Sequence, residues 1–382
     1  MHDDDRLAGA FPYERLRRYP DVEAPNLQAW DATDLLLAER GMADASERRL
    51  AGRDIAVIGD NYGALALRLA AAGFTEVRVH QDLATGREAL SRNAEELGLS
   101  ELQVPCELDG RLLTGARLVL LQLPRGLAEL EEYADAVARW AAPDVVLLAG
   151  GRTKHMTLAM NEVLGASFEV VAAELAVRKS RLLVASVPRP VPERPPFPVC
   201  ATHDDVGLTL CAHGAAFAGS RLDLGTRFLL GFLDRMPSGG AVDLGCGTGA
   251  LAAAYALAHP EAVVVATDRS AAAARSARAT MEANGLAGRV AVEHDDAAAS
   301  RPDASADVVL LNPPFHLGAS VHAGAGLRLI EAAARILRPG GELWTVYNSH
   351  LDYRRQLRIS VGRTSIEGQS GKFTVTRSLR RP

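Results

Sequence analysis

The sequence predicts an α/β chain built from two tandem doubly wound domains. Three observations carry this prediction. Short apolar strands alternate with alanine-rich helices in both halves, a proline-rich run separates the halves, and the first strand of the second half ends in a glycine-rich turn. At 382 residues the chain is long enough for two hydrophobic cores. Its 48% apolar and 23% charged residues give the balance of a soluble globular chain and exclude a largely disordered one.

In the first half the pattern reads DIAVIGDNYGALALRLAAAG, EVRVHQD, a helix from Ala84 to Leu97, ARLVLLQLPRG and PDVVLLAGG. The run PRPVPERPPFP then places six prolines between Pro188 and Pro198, which neither a helix interior nor a central strand accepts. The expected organisation is therefore a domain over 1–187, a stiff linker over 188–198 and a second domain over 199–382. In the second half, strands are expected at Ala241–Leu244, Ala262–Asp268, Arg289–Glu293, Ala306–Leu311 and Glu342–Tyr347, with helices at Ala250–Ala258, Ser270–Asn284 and Gly326–Leu337. IGDNYGAL falls where DLGCGTGAL stands, and LLQLPRG falls where LLNPPFH stands. The halves read as two copies of one fold, the first without its chemical residues.

The acidic start MHDDDRLAGAF lacks the pattern of a secretory signal, and no apolar run approaches the roughly 20 residues of a membrane span, so a cytoplasmic protein is expected. Cys106, Cys200, Cys211 and Cys246 show no CxxC or Cys/His spacing, so neither a disulfide framework nor a metal site is expected. A net charge of −5 argues against binding nucleic acid through bulk charge. The stretch from Leu351 to Pro382 differs, with eight Lys or Arg against two acids. It reads either as a solvated helix and edge strand or as a phosphate-contacting patch that includes Arg354, Arg355, Arg358 and Lys372.

DLGCGTG, from Asp243 to Gly249, ends a strand and opens a helix. Its glycines let the backbone turn tightly against a ligand, and the helix N-terminus offers free N–H groups. GCGTGA also fits the dinucleotide fingerprint, and Asp268 lies about 20 residues further on, as a ribose-binding acid does. The turn alone thus leaves a nicotinamide dinucleotide and S-adenosylmethionine both open. Asp268 reads as a ribose acceptor or as a helix cap, and Asp295 or Asp296 as a partner for an adenine amine or as a turn residue.

LLNPPFH separates the two cofactors. Asn312, Pro313, Pro314 and Phe315 form a rigid turn at the sheet edge that carries the glycine loop, and the prolines remove two donors. An aryl or amide NH2 is a poor nucleophile because its lone pair is delocalised. If the Asn312 oxygen and the Pro313 carbonyl accept its hydrogens while Phe315 stacks on the ring, the lone pair is freed for a methyl sulfonium. A dehydrogenase has no use for such a turn. Upstream, FAGSRLDLGTRFLL places Phe217, Asp223, Gly225 and Thr226 as a lid over the methionine end of the cofactor or as a capped helix start.

These segments, with GGELWTVYNSHLDY (Gly340 to Tyr353) and GKFTV (Gly371 to Val375), resemble the bacterial rRNA guanine-N2 methyltransferases, in which a degenerate methyltransferase-like domain precedes the catalytic one. RYPDVEAPNLQAWDATDLLL, LPRG and RTKHM resemble the large-subunit members. The resemblance implies two tandem seven-stranded Rossmann-like methyltransferase domains and a monomer that methylates a guanine N2 in 23S rRNA. It carries Asp243, Gly245, Asp268 and Asn312 over as cofactor or catalytic positions. The family often has asparagine where Asp295 and Asp296 stand. Together these readings give a candidate cofactor set of Phe217, Thr226, Asp243, Gly245, Cys246, Gly247, Gly249, Asp268, Arg269, Asp295, Asp296 and Asn312, and a catalytic set of Asn312, Pro313, Pro314 and Phe315. Small-subunit rRNA, an adenine amine and a protein glutamine amide are alternative acceptors. A non-enzymatic rRNA-binding assembly protein is the remaining alternative.

Overall fold

The computed structural model describes residues 11–100, 103–313, 320–351 and 353–382, and the chain divides into two compact units, Met1–Pro196 and Phe197–Pro382. Pro314 and Phe315 lie outside the described residues.

The first unit carries β1 (Ile55–Ile58), β2 (Val77–His80), β3 (Gln103–Pro105), β4 (Leu118–Gln122), β5 (Val146–Arg152), β6 (Phe168–Ala173) and β7 (Ser180–Pro188), in the order β3-β2-β1-β4-β5-β7-β6. The second begins with a hairpin, β8 (Val199–His203) and β9 (Leu208–Ala212). It continues through β10 (Ala241–Leu244), β11 (Val264–Asp268), β12 (Val290–His294), β13 (Ala306–Leu311), β14 (Leu337–Asn348), β15 (Gly362–Gln369) and β16 (Phe373–Arg380). Their order, β12-β11-β10-β13-β14-β16-β15, repeats that of the first unit strand for strand. Both units are therefore seven-stranded sheets, parallel through five strands and closed by an antiparallel pair.

Alternation along the strands of the second unit decides which face each side chain enters. Ala241, Val264, Ala266, Val308, Leu310, Trp344 and Val375 face a core shared with the helix Ala250–Ala258. Val242, Leu244, Val265, Val309, Leu311 and Leu343 face the other, built on Ile330 and Ala333 of the helix Ser320–Ile336. Burial on both faces explains why these strands read as continuous apolar runs. The chain order reverses between β10 and β13, so the carboxyl ends of these two neighbours flank the crevice where ligands of doubly wound sheets bind.

Some expectations need correction. Cys200 and Cys211, expected to be unpaired, form a disulfide across the β8/β9 hairpin, because the register sets them directly opposite each other. The helix expected over Gly326–Leu337 runs from Ser320 to Ile336, since Leu337 enters β14 opposite Ala306. The basic tail forms a helix, Tyr353–Ser360, followed by two strands rather than one: β15 is the edge, and β16 is inserted between it and β14. The hairpin packs its backbone on the helix Ala271–Ala283. The Cys211 N–H donates to Thr280 Oγ1 at 3.0 Å and the His213 N–H to Ser276 Oγ at 2.8 Å, which accounts for two buried hydroxyls.

Candidate active site

At the carboxyl edge of β10, β11 and β13 lies a cavity of about 340 Å³. It is bordered by every residue of the candidate cofactor set except Gly249, and by Pro313 of the catalytic set. Segments far apart in the chain thus meet at one edge.

The glycine turn is shaped from below. Asp243, 1% exposed within β10, accepts the N–H of Ala252 at 2.9 Å and so satisfies a donor in the first turn of the helix Ala250–Ala258. Burial, and after it the neighbouring Asp268 charge, raises the Asp243 carboxyl to about 7, against the pull of that hydrogen bond. Gly249 has φ +79° and packs against the helix Ala271–Ala283: a Cβ there would lie 2.8 Å from Met281 Cε and 3.0 Å from Ala277 Cβ. Its role is in packing, and it does not border the cavity. Gly247, at φ +54°, would carry a Cβ with no protein atom within 4 Å. Gly247 also borders the cavity.

Asp268 accepts the Gly247 N–H through Oδ2 and the Ser270 N–H through Oδ1, both at 2.9 Å. Ser270, not Asp268, caps the following helix by accepting from the Ala273 N–H at 3.1 Å. Asp268 thus braces the turn while standing at the cavity, where a carboxylate is suited to accept from vicinal hydroxyls. Open backbone at Gly247 and an acid at the end of β11 fit a nucleoside-bearing cofactor. Asp295 is engaged with Ser300, at 2.8 Å to its hydroxyl, and Asp296 pairs with Arg328, a cavity residue that no sequence pattern singled out.

Asn312, one residue past β13, is held from one side. Its Nδ2 donates to Asp223 Oδ2 and to Thr226 Oγ1, each at 2.9 Å. Its Oδ1 is buried and has no hydrogen-bond partner among the described residues. Such an acceptor costs stability unless something else fills it. Phe217 is 69% exposed beside the cavity. In the tail, Arg355, Arg358 and Lys372 are exposed and Arg354 is half-buried, whereas Arg377 is taken up by Glu342 at 3.4 Å and Glu367 at 3.5 Å.

In the first unit the corresponding edge is filled from within. Register places Gln81 where Asp268 stands and Gln122 where Asn312 stands. Gln81 donates to the Asp60 carbonyl at 2.9 Å and accepts from the Leu83 N–H at 2.9 Å, and Gln122 donates to the buried Asp34. The Asp60 carboxylate, itself buried, accepts from Gly63 and Ala66 at the start of the helix Ala66–Ala71, the place an anionic ligand would take.

Among the described residues no cluster of three or more His, Cys, Asp or Glu suits a metal, and no helix is long and apolar enough to cross a membrane. Comparison with known proteins agrees with the two-unit division. Residues 207–377 match the family described as methyltransferase small domain, and residues 6–189 match the RLMG N-terminal domain. The chain is 35% identical over 383 residues to the ribosomal RNA large subunit methyltransferase G of Streptomyces coelicolor, covering 96% of this chain and 97% of that one. The protein of the same name from Pseudomonas paraeruginosa is 36% identical, over 92% and 93%. Among solved structures, a T. thermophilus 16S rRNA N2 methyltransferase in complex with AdoMet and guanosine aligns with a TM-score of 0.70 at 23% identity, covering 86% of this chain and 88% of that one. This establishes likeness of fold.

Proposed function

Because this chain belongs to the ribosomal RNA large subunit methyltransferase G family, we propose that it transfers a methyl group from S-adenosylmethionine to the exocyclic N2 of a guanine in 23S rRNA. The observation that carries this reading is the buried Oδ1 of Asn312 beside the cavity, which has no partner among the described residues.

S-Adenosylmethionine supplies an electrophilic methyl on a sulfonium. Asp268 would accept the ribose hydroxyls, the backbone from Gly245 to Thr248 would lie along the cofactor, and Asp295 or Asp296 would meet the adenine. Phe217, Cys246 and Arg269 complete the wall, and Thr226 borders it where its hydroxyl holds Asn312. The Asn312 Oδ1 and the Pro313 carbonyl accept the two hydrogens of the guanine amine, which turns its lone pair toward the methyl group; the stacking role expected of Phe315 falls outside the described residues. As the N–C bond forms the S–C bond breaks, and one amine proton passes to solvent.

The first domain, its own edge filled by Asp60, Gln81 and Gln122, positions the RNA instead. Arg125, Arg152 and Lys154 gather about His155 and, after desolvation, push its pKa down, a local concentration of positive charge suited to phosphates. Arg354, Arg355, Arg358 and Lys372 do the same for the second domain. The protein works as a cytoplasmic monomer. Incubating it with radiolabelled S-adenosylmethionine and rRNA from a strain lacking the gene tests the reading. Label should enter the RNA with the native chain and not with Asn312→Ala, and label that survives this substitution removes Asn312 from the chemistry.

A further inference from the structure

Methylation of a guanine amine at this site needs Asn312 to present oxygen, not nitrogen, to the base, and an amide on a single rotatable bond has no intrinsic preference. We propose that Asp223 and Thr226 are positioning residues that fix this choice, acting on the reaction only through Asn312; the proposal rests on the assignment of Asn312 as the amine acceptor.

Asp223 Oδ2 accepts the Thr226 N–H at 2.9 Å, which seats the start of the helix Leu224–Leu230, and accepts Asn312 Nδ2 at 2.9 Å. Thr226 Oγ1 takes the same nitrogen at 2.9 Å. A carboxylate side chain offers acceptors, so a flipped amide would set oxygen against oxygen at a part-buried contact, while the Thr226 hydroxyl, able to donate or accept, steadies the amide in the sense that Asp223 selects. The nitrogen therefore faces Asp223, and Oδ1 is left facing away from it without a partner among the described residues. Gly225 keeps the adjoining space open: a Cβ there would stand 3.1 Å from Asp223 Oδ2, 3.5 Å from Asn312 Oδ1 and 3.4 Å from Phe373 Cε1. The segment Asp223–Thr226 thus sets the polarity of the amide and leaves room at its oxygen.

Steady-state kinetics with rRNA, calorimetry with S-adenosylmethionine alone and thermal melting test this on Asp223→Asn, Thr226→Val, Thr226→Ser and Asn312→Ala. Asparagine caps a helix as well as aspartate does but no longer forbids the flip. Asp223→Asn and Thr226→Val should each lower kcat at least tenfold, leave the cofactor Kd within about twofold and melt near the native temperature. Thr226→Ser, which keeps the acceptor oxygen, should recover most of the loss. Placed in Asn312→Ala, neither substitution should lower the rate further. A parallel loss of cofactor affinity would make these cofactor residues and overturn the proposal, as would native kcat in both variants while Asn312→Ala is inactive. Native activity in Asn312→Ala itself would instead remove the catalytic reading and the proposal with it.

Discussion

Asp268 and Gly247 are joined by a hydrogen bond of 2.9 Å, from the Gly247 N–H to Asp268 Oδ2, so the acid at the end of β11 braces the glycine turn at the end of β10. One carboxylate both shapes the loop and borders the cavity. Asp268→Ala should weaken S-adenosylmethionine binding by about 2–3 kcal/mol, roughly 30- to 150-fold, because charge-assisted hydrogen bonds are removed. Calorimetry measures this, and an unchanged Kd would take Asp268 out of the cofactor site.

Gly247 and Gly249 both have positive φ yet should respond in opposite ways. Gly249→Ala drives a Cβ against Met281 and to 3.2 Å from Ala277 Cα, a backbone atom that cannot rotate away, so a loss of about 2–4 kcal/mol of stability is expected from overpacking and strain together. Gly247→Ala meets no protein atom, and only the strain of about 1 kcal/mol applies to folding. Gly247 borders the cavity, so this variant should lose cofactor affinity instead. Urea denaturation and calorimetry on both variants check the crossed pattern.

These two glycines show what the sequence made legible. DLGCGTG is a local run whose backbone consequences follow from the residues themselves, and apolar periodicity located β1, β2, β4 and β5 and the strands β10 to β14, but not β3, β6, β7 or the β8/β9 hairpin. The pairing of Asn312 with Asp223 spans 89 residues and had no local signal, so Asp223 read only as a lid or cap. The Cys200–Cys211 disulfide escaped because it depends on hairpin register and not on a cysteine motif. Arg328, on the helix after the Asn-Pro-Pro turn, reaches Asp296 through the fold alone.

The first unit should have its own pH signature. Burial, then the Asp31 and Asp60 charges, push the Asp34 carboxyl up to about 8. An unfolded aspartate titrates near 4, so between roughly pH 4 and 8 the native chain holds a proton that the unfolded chain has released, and stability falls as pH rises. Asp34→Asn should flatten this fall. The free energy of unfolding of native protein and variant, compared at pH 5 and pH 8, should shift in the variant's favour at the higher pH. A pH-independent difference would contradict the assignment of Asp34 as a buried acid that keeps its proton.

Arg355 and Arg358 are exposed on the basic helix of the tail. Reversing both charges with Arg355→Glu and Arg358→Glu should weaken RNA binding and flatten its salt dependence by roughly 0.7–0.9 log units per log unit of salt for each phosphate no longer neutralised. S-Adenosylmethionine binding should not change. Filter binding of rRNA across a salt series separates this outcome from that of a merely solvated helix, which would leave the slope intact.

Methylation of the N2 amine of a guanine in 23S rRNA is the central claim. The most direct test is nucleoside mass spectrometry of separated 23S and 16S rRNA, from a strain lacking the gene, after treatment with the purified protein and S-adenosylmethionine. N2-methylguanosine should appear in 23S rRNA, and none should appear after treatment with Asn312→Ala. Methyl groups found in 16S rRNA, on adenine or only on protein would contradict the claim.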